Sequence, residues 1–184
     1  FAANETSKTV TVNVLNDQIL ENPESFTVQL GATTGGLAVG DGVGDAGILD
    51  DDTSATVSIS DGSPNPATEA AGATITFTVT LSEPVDHVTT VFYSTVDGTA
   101  IAGSDYEFTS GTLTFAANEI SRTVTVNVLN DTVFENPESF TMRLGSTSGG
   151  LAVGDGIGDA GILDNDFPAV VSISDGAPLP ATEG

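Results

Sequence analysis

The chain has 184 residues, 39% of them hydrophobic, and carries three Lys or Arg against 26 Asp or Glu, a formal net charge of −23. A charge of this sign and size excludes nucleic acid and anionic membrane surfaces as partners. The chain contains no Cys, which excludes a disulfide framework and a thiolate metal site. It also lacks an apolar run of about 18 residues that would insert into a bilayer.

The sequence repeats itself at an offset of 114 residues. Residues 1–52 match 115–166 at 41 of 52 positions, and 53–70 match 167–184 at 12 of 18 positions. Such a period has the size of a domain with its own core and exceeds the units of solenoids and propellers. We therefore predict a tandem array in a longer polypeptide. Residues 1–52 are the C-terminal part of a first repeat, 53–166 a complete repeat and 167–184 the start of a third.

Along the complete repeat, short segments rich in Val, Ile, Thr and Phe alternate apolar and polar residues, which predicts strands. No segment has the periodicity of a helix. The predicted strands cover residues 56–60, 73–82, 88–95, 111–115, 122–129, 139–144 and 160–163. Seven short strands separated by Gly, Pro, Asn and Asp predict an all-β, immunoglobulin-like seven-strand sandwich. Its predicted core comprises Val57, Ile59, Ile75, Phe77, Val79, Val91, Tyr93, Leu113, Phe115, Val124, Val126, Val128, Phe140, Met142 and Leu144.

The topology of such a sandwich brings acidic residues together at one tip, because alternate loops lie at the same end. Residues 130–138 follow the fifth predicted strand and 164–166 follow the seventh. The converging acids are Glu69, Asp105, Asp131, Glu135, Glu138, Asp164 and Asp166. Their mutual repulsion would destabilise the tip unless bound cations neutralised the carboxylates. Ca²⁺ accepts about six to eight oxygen ligands in irregular geometry, whereas Mg²⁺ demands a stricter octahedron, so we predict that the ion is Ca²⁺. Because the converging side chains exceed the needs of one ion, we predict two or more Ca²⁺ ions.

Residues 97–144, "DGTAIAGSDYEFTSGTLTFAANEISRTVTVNVLNDTVFENPESFTMRL", followed by "GILDND", resemble a Calx-beta domain. The resemblance covers the complete repeat and both partial ones. It implies a seven-strand sandwich that binds calcium at its tip. The ligand positions that it implies in the complete repeat are Glu69, Asp105, Asn130, Asp131, Glu135, Glu138, Asp164, Asn165 and Asp166. In the partial repeats they are Asn16, Asp17, Glu21, Glu24, Asp50, Asp51, Asp52 and Glu183.

Two features depart from the family pattern, which tends to be acidic where Asn130 and Asn165 stand and lacks the proline of "ENPES", here Pro137. Fewer charges are expected to weaken calcium affinity or to lower the number of ions. Elsewhere, Asp97-Gly98 and Asp61-Gly62 are typical of turns. His87, the only His, is expected to be an exposed loop residue.

The sequence predicts no enzyme, since it lacks a Cys nucleophile, a His near the acids and a phosphate-binding loop. It favours a structural repeat of an extracellular rod, stalk or filament, in which calcium stiffens the short junction between repeats. The expected partners are neighbouring repeats and other copies in a filament, and the expected location is the cell surface or the secreted fraction. The alternative is an adhesin module that binds a glycan or protein. For this role the loops offer few aromatic residues, namely Tyr106, Phe108 and Phe134.

Overall fold

The structure is a computed structural model that describes residues 1–52 and 54–174. All of its regular secondary structure is β. The first repeat contributes β1 (Glu24–Gln29) and β2 (Val43–Ile48). The complete repeat contains β3 (Thr56–Ile59), β4 (Ala67–Thr68), β5 (Thr74–Leu81), β6 (Thr89–Asp97), β7 (Ser110–Phe115), β8 (Ser121–Asn127), β9 (Glu138–Thr147), β10 (Ala152–Val153) and β11 (Ile157–Leu163).

The strands of the complete repeat form two sheets, with the orders β10-β3-β5-β8 and β4-β11-β9-β6-β7. Most neighbours pair antiparallel, but the two-residue strands β4 and β10 run parallel to β11 and β3. The all-β sandwich prediction is confirmed. The two short strands are additions to the seven that were predicted, because alternation over two residues leaves no readable period.

Strand alternation places one apolar row of each sheet in the core between them. In β5 the side chains of Ile75, Phe77 and Val79 are fully buried, while the Thr residues between them point outward. All but three of the predicted core side chains are buried, and Tyr93, Leu113 and Leu144 are partly buried against that core.

Tyr106 is a core residue that the sequence reading wrongly placed among the loop aromatics. Its side chain is fully buried and stacks on Phe140, with ring centroids 4.1 Å apart. Its hydroxyl donates a hydrogen bond of 2.5 Å to Asp97 Oδ1. This bond, and a second from the Ala102 amide, keep the pKa of Asp97 below its usual value. Asp97 therefore holds a turn, as its Asp-Gly pair predicted.

The partial repeats form fewer strands than their sequences predict. Residues 7–13 correspond to β8, and the described residues 167–174 precede or overlap the counterpart of β3, yet neither segment is a strand. In the complete repeat both β8 and β3 pair with β5. Among the described residues, no counterpart of β5 pairs with either segment. Within the described residues, no helix is long and apolar enough to cross a membrane.

Candidate metal centre

Two strands that leave the sheet side by side bring the first acids to the tip. β4 pairs in parallel with the end of β11, and Thr68 lies opposite Leu163. The Glu69 amide then donates a hydrogen bond of 2.8 Å to the Leu163 carbonyl. Glu69 therefore emerges beside residues 164–166, although the two segments are far apart in sequence.

Two groups of acids meet at this tip, and Glu69 belongs to both. Each of the two groups offers carboxylate oxygens that all lie within 4.8 Å of one another. One group comprises Glu69, Asp105 and Glu135, and the other comprises Glu69, Asp131 and Asp166. Glu69 and Asp105 are each only 4% exposed. The structure thus brings together five acids that the sequence reading placed at one tip.

Two carboxylate oxygens in this cluster lack hydrogen-bond partners among the described residues. Glu69 Oε2 and Asp166 Oδ2 are both buried and unpaired. Leaving a buried polar atom unpaired costs about 1 to 3 kcal/mol, and more when the group is charged. A cation held between the carboxylates would satisfy both oxygens and offset the repulsion between them.

Burial and mutual repulsion raise the pKa values of the clustered acids. Burial is the largest cause for Glu69, followed by the negative charges of Glu135 and Asp131, and together with further neighbours they raise its pKa to about 7. Burial and contact with Asp105 also raise the pKa of Glu138. The pKa of Glu135 is raised by burial first and by Asp105 next. The tip therefore resists full ionisation unless a cation is bound.

Asp164 organises the loops of the tip. Its Oδ2 accepts a hydrogen bond of 2.8 Å from the Glu135 amide, and its Oδ1 accepts one of 2.8 Å from the Asp166 amide. These amide hydrogen bonds keep the pKa of Asp164 below its usual value. Asp164 thus ties the end of β11 to the loop between β8 and β9. In the same loop, the Val133 amide donates to Asp131 Oδ1 over 2.7 Å.

The two Asn residues of the predicted ligand set contact each other beside the acids. Asn165 Nδ2 donates a hydrogen bond of 2.8 Å to Asn130 Oδ1 and another to the Glu69 carbonyl. Asn130 Nδ2 in turn donates to the Asp131 carbonyl over 3.0 Å. Both amides therefore brace the backbone of the tip in this structure.

The first repeat also brings acids together at its end. Asp50, Asp51 and Asp52 offer oxygens within 4.8 Å of one another. The Glu21 amide donates to Asp50 Oδ2 over 2.9 Å, which matches the bond between Glu135 and Asp164. Burial, and then the charge of Asp17, raise the pKa of Glu21.

The other predicted ligands of the partial repeats take varied positions. Glu24 opens β1 and adds to the repulsion at Glu21. Asn16 Nδ2 donates to the Asp17 carbonyl over 3.5 Å. Glu183 lies outside the described residues.

Two acids of the complete repeat that are absent from the predicted ligand set face the first tip. The charge of Asp86 contributes to the raised pKa of Glu21, and the charge of Glu83 contributes to that of Asp52. Both belong to the loop between β5 and β6, which alternation of strand direction places at the opposite end from its own acidic tip. That alternation is the signal that would have found them.

His87, in that same loop, is half-buried instead of exposed as expected. Its ring contacts Asp86, and its Nε2 lies 3.3 Å from the Gly149 carbonyl oxygen. The β5–β6 loop is covered by the preceding repeat, which a reading of one repeat alone could not anticipate.

The fold and the tip define a class of protein, the immunoglobulin-like sandwich with a buried acidic cluster at one end. A family model described as "Calx-beta domain" matches residues 1–63 and 50–166. The chain therefore belongs to the Calx-beta domain family.

Sodium/calcium exchangers are among the relatives of the chain. It is 37% identical to sodium/calcium exchanger 1 of Rattus norvegicus over 99 residues, which cover 53% of this chain and 10% of the exchanger. It is 30% identical to exchanger 1 of Cavia porcellus over 172 residues, which cover 79% of this chain and 17% of that protein. The chain thus spans only a small part of the length of these relatives.

Solved structures of Calx and CALX1.1 domains have folds similar to that of this chain. The apo form of the Calx CBD1 domain is 30% identical, with a TM-score of 0.53, and the match covers 60% of this chain and 99% of that one. The calcium binding domain CBD12 of CALX1.1 is 28% identical, with a TM-score of 0.53, and the match covers 64% of this chain and 50% of that one.

Proposed function

We propose that this chain consists of calcium-binding structural repeats, and that Ca²⁺ binds at the acidic tip of each repeat. The observation that carries the proposal is Glu69, a buried carboxylate shared by two groups of acids and left with an unpaired oxygen. The proposed role is ion binding, not catalysis. Its proposed domain boundaries are those of the repeat, namely 1–52, 53–166 and 167–184.

The ligand types at the tip fit Ca²⁺. Carboxylates are hard oxygen donors, and Ca²⁺ accepts about six to eight of them in irregular arrangements. The two acid groups would supply ligands for two ions, and Glu69, which belongs to both groups, would contribute to both sites. The proposed direct ligands are Glu69, Asp105, Asp131, Glu135, Glu138 and Asp166, supported by Asn130, Asp164 and Asn165. Similarity to the calcium binding domain CBD12 of CALX1.1 supports this choice.

Calcium titration tests the proposal directly. Isothermal titration of the chain with CaCl₂ is expected to show binding that the Glu69→Gln variant weakens at least about tenfold, since that side chain contributes to both acid groups. The matched control is Glu107→Gln, because the exposed Glu107 carboxylate accepts a hydrogen bond of 2.8 Å from Asn127 Nδ2 and lies outside the acid groups of the tip. Equal calcium affinity in the parent and in Glu69→Gln would contradict the proposed site.

We further propose that these ions stiffen the junctions of an extracellular rod, stalk or filament, with neighbouring repeats and other copies of the chain as partners. At the first junction, Glu83 and Asp86 of the complete repeat face acids of the preceding tip. Without cations these like charges would push the two repeats apart. The linker is short, which also favours a stiff connection.

Solution scattering from three copies of residues 53–166 joined end to end tests the stiff junction. With calcium, replacing Asp166 by Ala in each copy is expected to lower the maximum dimension, because Asp166 ends the repeat and offers an oxygen to the tip. Asp155→Ala is the control, since the exposed Asp155 carboxylate accepts a hydrogen bond from the Ile157 amide and lies outside the acid groups of the tip. An unchanged maximum dimension in the Asp166 variant would contradict the rod.

An adhesin role is the less favoured alternative. Aromatic side chains in exposed loops would support it. Of the three predicted loop aromatics, Tyr106 is buried, while Phe108 and Phe134 are 62% and 52% exposed.

A further inference from the structure

The loop before β1 of the first repeat docks onto the complete repeat. Leu20 forms a parallel bridge with Val85, which is only 2% exposed. The Leu20 amide donates to the Pro84 carbonyl over 3.3 Å, and the Asp86 amide donates to the Leu20 carbonyl over 3.2 Å. The Leu20 side chain is partly buried against the core of the complete repeat. One apolar residue from a tip loop thus joins the core of the next repeat.

Polar contacts surround this apolar one. Asn22 Nδ2 lies 3.2 Å from His87 Nδ1, and His87 Nε2 lies 3.3 Å from the Gly149 carbonyl oxygen. Gly149 has a φ of +68°, and a Cβ at this position would lie 2.6 Å from Thr89 Cγ2. Only glycine therefore lets the β9–β10 turn lie this close to the β5–β6 loop.

The repeat offset of 114 places Phe134 at the position of Leu20. Phe134 is 52% exposed and its neighbour Val133 is 57% exposed. The same loop position therefore presents an uncovered apolar side chain at the far end of the complete repeat. A third repeat starts at residue 167, as its identity with residues 53–70 indicates.

The first and second junctions differ in sequence at the loop and the linker that would form each interface. Of the 11 positions at which residues 1–52 differ from 115–166, three are adjacent, "QIL" at 18–20 against "TVF" at 132–134. The linkers after the two tips, "TSAT" at 53–56 and "FPAV" at 167–170, also differ at three of four positions. Both changes add a Phe. Phe134 stands in the loop where the first repeat has Leu20, and Phe167 stands in the linker where the complete repeat has Thr53, as expected if loop and linker belong to one interface.

We propose that Phe134 is a docking residue for the third repeat, and that it inserts beside the position of that repeat that corresponds to Val85. The occupant is the β5–β6 loop of the following repeat, since that loop already receives Leu20 at the first junction. The contact is apolar and needs no ion. It adds to the calcium-stiffened junction proposed above without depending on it.

Disulfide trapping tests the docking, because the chain has no Cys of its own. At the first junction, the pair Leu20→Cys and Val85→Cys is expected to form an intramolecular disulfide about tenfold faster than Leu15→Cys with Val85→Cys, owing to its higher effective concentration. Leu15 is 92% exposed. If circular dichroism shows that Val85→Cys does not fold, Asn22→Cys with His87→Cys and a short thiol-bridging reagent replaces the pair.

The second junction is tested in a polypeptide with residues 71–166 appended after residue 184, which completes the third repeat. Phe134→Cys paired with Cys at the third repeat's counterpart of Val85 is expected to cross-link within one molecule about tenfold faster than the same Cys paired with Phe108→Cys. Equal rates, or links only between molecules, would overturn the proposal. Each measurement is made in calcium and in chelator. Trapping in both, together with a failed calcium titration, would retain the docking and reject only the proposed metal site.

Discussion

Calcium is expected to raise the melting temperature of this chain by on the order of 10 to 20 °C. Ligand at a hundred times its dissociation constant adds about 2.7 kcal/mol per site, and about 1 kcal/mol shifts the melting of a domain of this size by several degrees. The effect is large because the metal-free tip holds buried, mutually repelling carboxylates. Differential scanning calorimetry in CaCl₂, in MgCl₂ and in chelator measures it. Magnesium is expected to give a much smaller shift, since it demands a stricter geometry.

The Glu69→Gln variant separates ion binding from simple packing. It removes one of the repelling charges, so it is expected to melt higher than the parent in chelator. It also removes a ligand, so it is expected to gain less from calcium. A variant that only disturbed packing would melt lower under both conditions. Identical melting of the parent in calcium and in chelator would contradict both the site and its proposed function.

The metal-free chain is expected to lose stability as the pH rises from about 4.5 to about 7. The pKa of Glu69 is raised from 4.5 to about 7 in the folded state, so the folded chain binds more protons than the unfolded chain over this range, and its free energy of unfolding falls. Each pKa unit corresponds to about 1.4 kcal/mol. Solvent near the tip screens part of this interaction, so the free energy of unfolding is expected to fall by on the order of 1 to 3 kcal/mol. The raised pKa values of Glu135 and Glu138 act in the same direction.

Urea unfolding at pH 5, 6, 7 and 8 in chelator measures this loss. In saturating calcium the trend is expected to reverse, because the ion binds the ionised carboxylates and is displaced by protons as the pH falls. Glu69→Gln is expected to flatten the metal-free profile, while Glu107→Gln leaves it unchanged. A metal-free free energy of unfolding that rises from pH 5 to pH 7 would show that the acids of the tip are not coupled as the structure has them.

The sequence by itself determined the strands, most of the core and the acidic tip of the complete repeat. The alternation in "TITFTVTL" places Ile75, Phe77 and Val79 on one face of β5 whatever the rest of the chain does, because side chains along a strand alternate in direction. The repeat at 114 residues gave the size of the unit. The direction of each strand then placed the acids of several loops at one end, so their convergence needed no coordinates.

Only the tertiary structure decided which loop residues are buried and what each carboxylate contacts. Tyr106 belongs to no strand, and its burial depends on the stack with Phe140. Glu69 reaches the tip through a two-residue parallel pairing with β11, which is too short to leave a sequence pattern. Leu20 is partly buried by the following repeat, across a long separation in the chain. Such contacts join residues that are distant in sequence, whereas periodicity reports only on neighbours, so the burial of a loop side chain is settled when the sheets and the repeats meet.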